Sequence, residues 1–148
     1  MTAPEAKPTV QILFVDDDQL VRDFAVHTLE FGLNRQVIAF DNGFNAWQFI
    51  QQQPDKVDII IADANLPDMD GYALLRNIKK TLPEKHVIIT AGDPALEKIA
   101  NQLGADGFIS KPYDAKDLFA IIKKYALASN PTENSKVTVF RENRTPPK

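Results

Sequence analysis

At 148 residues, with 44% hydrophobic and 25% charged residues, the chain has the length and composition of one globular unit able to bury a full core. No apolar run approaches the roughly 18 residues of a membrane span, the first ten residues contain Pro4 and Pro8 and no apolar block of a secretory signal, and the lack of cysteine excludes disulfides, thiolate metal sites and cysteine nucleophiles, so a cytoplasmic location is expected. The net charge of −3 is uneven: the tail carries Lys136, Arg141, Arg144 and Lys148 against Glu133 and Glu142, which leaves an acidic body and argues against direct binding of nucleic acid.

Gln11 to Val15 (QILFV) reads as a short buried strand that ends in three carboxylates, Asp16, Asp17 and Asp18. Asp18 is placed to cap a helix from Gln19 to Phe31, where Leu20, Val21, Phe24, Ala25, Thr28 and Leu29 recur at helical spacing and Gly32 and Asn34 end the run. His27 lies on this helix as an ordinary, partly exposed residue. Gln36 to Phe40 is a second strand, followed by the Asp41-Asn42-Gly43 turn and a helix from Phe44 to Gln53 expected to bury Phe44, Trp47 and Ile50. The stretch Val57 to Gly71, VDIIIADANLPDMDG, opens with the β-branched composition of a strand buried on both faces and stops at Asp63. Asn65, Pro67, Asp68, Asp70 and Gly71 spell a turn, and Tyr72 to Lys80 resumes with helical spacing, burying Leu74, Leu75 and Ile78 before Leu82 and Pro83 close it.

His86 to Thr90 is a fourth strand delivering a hydroxyl at its carboxyl end. Asp93 and Pro94 are expected to start the next helix as N-cap and first residue, with Leu96, Ile99, Ala100 and Leu103 as its buried stripe up to Gly104. Gly107 to Ser110 is the fifth strand, ending at Lys111-Pro112, and Asp114 starts a last helix whose Leu118, Ile121, Ile122 and Tyr125 face inward. Five strands alternating with five helices through short loops predict a doubly wound α/β domain over residues 11–128, a parallel sheet with helices on both faces. Residues 1–10 are read as a flexible N-terminus, and 129–148 as a polar tail or linker stub with one alternating piece, Val137-Thr138-Val139-Phe140.

A parallel sheet brings the carboxyl ends of its strands to one rim, so Asp16, Asp17, Asp63, Thr90 and Lys111 should converge there. Carboxylates crowded together repel by about 4 kcal/mol per pair at 4 Å and an effective dielectric near 20. Lys111 offsets part of that. A hard divalent ion such as Mg²⁺, which takes oxygen ligands and keeps several waters, offsets the rest and leaves positions open for phosphoryl oxygens. Asp63 could then attack phosphorus in line, with Lys111 and the Thr90 hydroxyl stabilising the equatorial oxygens, to form an acyl phosphate.

On these residues the chain resembles the receiver domains of two-component response regulators, typified by the single-domain chemotaxis regulator. FVDDD, DIIIADANLPDMDG, ITAGD and GFISKPY stand in that family's order and spacing over about Gln11 to Ala128. The resemblance implies a (βα)5 flavodoxin-like three-layer sandwich with strand order 2-1-3-4-5. It implies Asp63 as phospho-acceptor and metal ligand, Asp16 and Asp17 as the acidic pair with Asp17 a direct Mg²⁺ ligand, and Asn65 as the residue whose carbonyl binds the metal. Thr90 and Phe108 match the switch hydroxyl and switch aromatic, and Lys111 the site lysine before a proline that the family usually holds cis. Phe108 stands where tyrosine is commoner, so the switch works by packing alone, and Gly92 leaves a gap where many relatives carry a side chain that modulates acyl phosphate hydrolysis.

The implied function is that of a phosphorylation-controlled switch. A histidine kinase or phosphotransfer protein would donate the phosphoryl group, and the face built from the fourth and fifth helices and the fifth strand would answer by binding an effector or by pairing with itself. Output could also lie in a domain beyond the tail. Three other readings compete. A haloacid-dehalogenase-like phosphatase would need a general acid two residues after Asp63, where Asn65 stands. A flavodoxin-type cofactor binder would need a phosphate loop where Asp16 to Asp18 repel phosphate. A non-phosphorylated interaction module of the same fold has no use for the complete acid, threonine and lysine set.

Overall fold

The computed structural model describes residues 10–34 and 36–127. In chain order the elements are β1 (Ile12–Val15), α1 (Gln19–Leu33), β2 (Ile38–Phe40), α2 (Gly43–Gln52), β3 (Ile59–Asp63), α3 (Gly71–Thr81), β4 (His86–Ala91), α4 (Leu96–Gln102), β5 (Gly107–Ser110) and α5 (Ala115–Ile121). A short 3-10 turn over Pro54–Lys56 precedes β3, and the end of α5 widens into a π-helical turn over Ile122–Leu127. The five strands form one parallel sheet in the order β2-β1-β3-β4-β5, as the resemblance implies. The N-terminal ten residues (but for Val10), the tail from 129 to 148 and its Val137 to Phe140 piece lie outside the described residues.

Alternation along the strands divides the core into two layers. Ile60, Ala62, Val87, Ile89 and Phe108 pack with Ala46 and Ile50 of α2, Leu74, Leu75 and Ile78 of α3 and Ala100 of α4. Ile59, Ile61, Ile88 and Ile109 pack with Ala25, Leu29 and Leu33 of α1 and Leu118 and Ile121 of α5. Successive side chains of β3 thus feed opposite layers, and both are dry, which is why its sequence is continuously apolar rather than alternating. Burying one such isoleucine contributes about 1.5–3 kcal/mol.

Several local expectations need correction. Helix α1 runs through Gly32 and stops at Asn34, which takes the left-handed conformation (φ 59°) while its N–H donates to the Glu30 carbonyl. Gly32 lies instead under Ile122 and Phe119, so its small size serves the packing of α5 on α1. Asp93 does not cap α4 directly: its Oδ1 accepts from the Ala95 N–H, and i→i+3 bonds from Leu96 and Glu97 to Asp93 and Pro94 wind a tight turn before α4 begins. Leu20, Phe24, Phe44 and Ile99 have core spacing but are exposed, because each sits beside the buried row of its helix and not on it. In α1 that row is Ala25, Leu29 and Leu33.

Candidate phosphoryl-acceptor site

The carboxyl ends of four strands, β1, β3, β4 and β5, build the rim. Asp16 follows β1 directly and is fully buried. Its Oδ1 accepts from the Asp18 N–H at 2.9 Å, and the Arg22 guanidinium donates to its backbone carbonyl at 2.8 Å, so the turn after β1 is braced from α1. Asp18 caps α1 as expected, accepting from the N–H groups of Leu20 and Val21. Asp17 projects to solvent, while Asp63, the last residue of β3, keeps 6% of its surface exposed. Asp63 pairs in register with Thr90 on β4, which carries the hydroxyl to the same edge.

Lys111 closes the site from the far side. Its N–H donates to the Ala91 carbonyl at 2.7 Å, extending the β4–β5 pairing by one residue, and the Lys111–Pro112 bond is cis, as the resemblance implies. The ammonium donates to Asp63 Oδ2 at 2.8 Å and forms an ion pair with Asp16 Oδ2 at 2.8 Å. The ammonium thus bridges the two carboxylates at equal distance. Burial pushes the Asp16 carboxyl above its ordinary range, with Lys111 and the Asp18 N–H opposing and Asp63 adding to the rise. For Lys111, burial acts downward but Asp16 and Asp63 outweigh it, and its pKa is raised.

Asp16, Asp17 and Asp63 each offer an oxygen, and these atoms lie within 4.8 Å of one another. Three carboxylates against one lysine leave the rim negative. An all-oxygen donor set of this charge suits a hard divalent cation. Asn65 is exposed, and its N–H donates to Asp63 Oδ1 at 3.1 Å, which ties the loop after β3 to the Asp63 carboxylate.

The remaining expected residues fall into place unevenly. Thr90 is fully buried and its Oγ1 has no hydrogen-bond partner. Phe108 is also buried, at 4% exposure, in the layer shared with α2, α3 and α4, so its ring is already inside. Gly92 is exposed, and a Cβ there would meet no atom within 4 Å. Three contributors escaped the sequence reading. Arg22 braces Asp16. Asp68 accepts from the N–H groups of Gly43 and Phe44 and clips the loop after β3 to the start of α2. Tyr113 lines a cavity of about 410 Å³ with Leu20, Val21, Phe24, Lys111 and Pro112. Only Tyr113 carried a signal, its position two residues after Lys111.

Residues 12–123 match the family described as response regulator receiver domain. Regulatory protein VanRc of Enterococcus gallinarum is 32% identical over 114 residues, covering 76% of this chain and 48% of that protein. Sensor kinase CckA of Brucella abortus is 31% identical over 125 residues, covering 82% of this chain and 13% of that protein. The chain spans between 13% and 48% of the length of the curated relatives it matches. Among solved structures, a response regulator receiver domain protein from Clostridium thermocellum superposes with a TM-score of 0.71 at 28% identity, over 77% of this chain and 91% of that one.

Proposed function

Because the chain belongs to the response regulator receiver domain family of two-component signalling, we propose that it is a switch that accepts a phosphoryl group on Asp63 in a Mg²⁺-dependent reaction. The observation that carries this reading is the Lys111 ammonium held 2.8 Å from both Asp16 and Asp63 at a rim where the Thr90 hydroxyl has no partner. Asp16, Asp17, Asp63 and the Asn65 carbonyl would hold the metal, which when bound neutralises the acidic rim and the incoming phosphoryl charge. An Asp63 oxygen forms the new bond to phosphorus as the bond between phosphorus and the donor's histidine nitrogen breaks, the electron pair staying on that nitrogen. Lys111 turns to a phosphoryl oxygen, and Thr90 donates its free hydroxyl to another. Domain bounds of 11–128 follow from the same reading.

The donor is a histidine kinase or phosphotransfer protein in the cytoplasm. Leu20, 81% exposed, and Phe24, 43% exposed, offer it an apolar shelf beside Lys111. Among the described residues no helix is long and apolar enough to cross a membrane. Output passes through Thr90 and Phe108 to the α4-β5-α5 face, which binds an effector, pairs with a second copy or acts on a domain beyond the tail; phosphorylation must favour one arrangement by differential contacts.

Two measurements test the reading. Intact-mass spectrometry after acetyl phosphate and Mg²⁺ should show a covalent adduct that Asp63→Asn lacks; an equal adduct on the variant overturns the assignment of Asp63. Light scattering in Mg²⁺ with and without beryllofluoride should then separate the outputs. A dimer that forms only with beryllofluoride, and not in Asp63→Asn, means that the output face pairs with itself. An unchanged monomer that nonetheless binds beryllofluoride means output by docking.

A further inference from the structure

Of the three clustered carboxylates at the rim, Asp17 alone projects to solvent, so its place is set by the turn that carries it. Arg22 of α1 reaches both neighbours of Asp17. Its guanidinium donates to the Asp16 carbonyl at 2.8 Å, and its main-chain N–H donates to the Asp18 carbonyl at 2.9 Å. Asp16 is also held from the sheet, its N–H donating to the Phe40 carbonyl at 3.1 Å, and the Asp18 carboxylate is held by the N–H groups of Leu20 and Val21. Helix α1 is itself seated in the core through Ala25, Leu29 and Leu33. The turn from Asp16 to Asp18 is therefore closed at both ends, and the Arg22 side chain holds the peptide plane between Asp16 and Asp17.

A guanidinium is a planar fork suited to carboxylates, yet next to this acidic rim its hydrogen bond goes to a main-chain carbonyl. That bond is compatible with an occupied site, because a cation on Asp16 takes a carboxylate oxygen and leaves the main-chain carbonyl to Arg22. Resting on the receiver reading, we propose that Arg22 is a positioning residue for the divalent cation, holding the Asp16–Asp17 peptide so that both carboxylates are in place before the ion arrives. Groups that orient metal ligands in this way are worth about 10–100-fold in affinity. The physical reason is that a ligand already in place loses little freedom when the ion binds.

Charge and position have opposite signs here, which separates the two roles. Removing a cation from beside an acidic rim should, by Coulomb attraction alone, tighten Mg²⁺ binding; removing a brace should loosen it. In calorimetric titration with Mg²⁺ alone, Arg22→Met, which keeps an apolar stem and loses every donor, is expected to bind the ion about tenfold more weakly than wild type. Arg22→Lys, which keeps the charge and a donor, should lose less. Thermal unfolding in Mg²⁺-free buffer checks that each variant is folded, and Arg22→Gln, also neutral and shorter, takes the place of Arg22→Met should that variant not fold. Wild-type or tighter Mg²⁺ affinity in the folded neutral variant overturns the proposal, even where its Tm is lowered, since a merely structural prop would lower Tm and leave the affinity alone. Failure of the wild type itself to bind Mg²⁺ sinks the receiver reading and this inference together; wild-type binding with an unaffected variant sinks this inference alone.

Discussion

Gly71, the first residue of α3, packs against the backbone carbonyl of Asp63, so closely that a Cβ at position 71 would overlap that oxygen. Its N–H also donates to the Ala64 carbonyl at 3.1 Å, and Asp70 caps the helix by accepting from the Ala73 N–H. The start of α3 and the end of β3 are thus one packed unit, and the position of the Asp63 carboxylate depends on the absence of a side chain eight residues later.

Gly71→Ala is therefore expected to push α3 away from β3. Overpacking of this kind costs about 1–3 kcal/mol, and the displaced strand end should slow phosphorylation of Asp63 even in the folded protein. Urea denaturation gives the first quantity and acetyl phosphate labelling the second. Wild-type stability with a wild-type labelling rate would show that the contact relaxes freely.

Lys111→Met leaves Asp16 and Asp63 facing each other without their shared cation. Breaking a fully buried pair costs about 3–5 kcal/mol; Lys111 keeps 22% side-chain exposure, so the expected loss is smaller, about 1–3 kcal/mol in Mg²⁺-free buffer. Added Mg²⁺ should return part of it, since a ligand that binds only the folded state stabilises it. Denaturation with and without Mg²⁺ checks both signs, and a variant as stable as wild type without the ion would count against the repulsion.

Gly92 is exposed two residues after Thr90, and a Cβ there would meet open space. Gly92→Glu should fit without strain and shield the acyl phosphate from water, lengthening its lifetime several-fold. The decay of labelled protein after removal of the donor measures this directly; unchanged decay would assign the lifetime to Asn65 and the rest of the rim.

A second charged cluster lies at the opposite edge of the sheet. Asp106 Oδ2 accepts from Lys79 Nζ at 2.9 Å and from the Val87 N–H at 2.8 Å, with His86 Nδ1 3.6 Å from Oδ1. Burial raises the Asp106 pKa, but His86, Lys79 and the Val87 N–H together outweigh it and hold the carboxyl below its ordinary 3.8. A depressed acid stabilises the fold above its unfolded value and loses that contribution as pH falls through its folded value. Asp106→Asn should cost about 1–2 kcal/mol at neutral pH, and the difference from wild type should shrink as pH drops below about 3.8. Urea midpoints of both proteins across that window decide it; a constant difference would assign the effect to packing.

Much of the architecture was legible because this fold writes its topology into local pattern. The β-branched run ending at Asp63, the apolar run before Asp16 and the turn at Asp70-Gly71 each carry their own signal, and parallel pairing then obliges Asp16, Asp63, Thr90 and Lys111 to meet at one edge. Residue type and order were sufficient for that, since the strand direction and the right-handed crossover leave few alternatives. Side-chain environment was not legible in the same way. Whether Leu20 and Phe24 face the core or flank it depends on where α5 and the Lys111 loop settle, contacts between residues about ninety positions apart, and periodicity carries no record of them. The same holds for the shared ammonium of Lys111, the brace from Arg22, the Asp68 clip and the unpartnered Tyr113 hydroxyl. Hydrogen-bond partners and burial are set by distances across the packed layers, so the tertiary structure alone decided which of the convergent groups are satisfied and which are left free for a ligand.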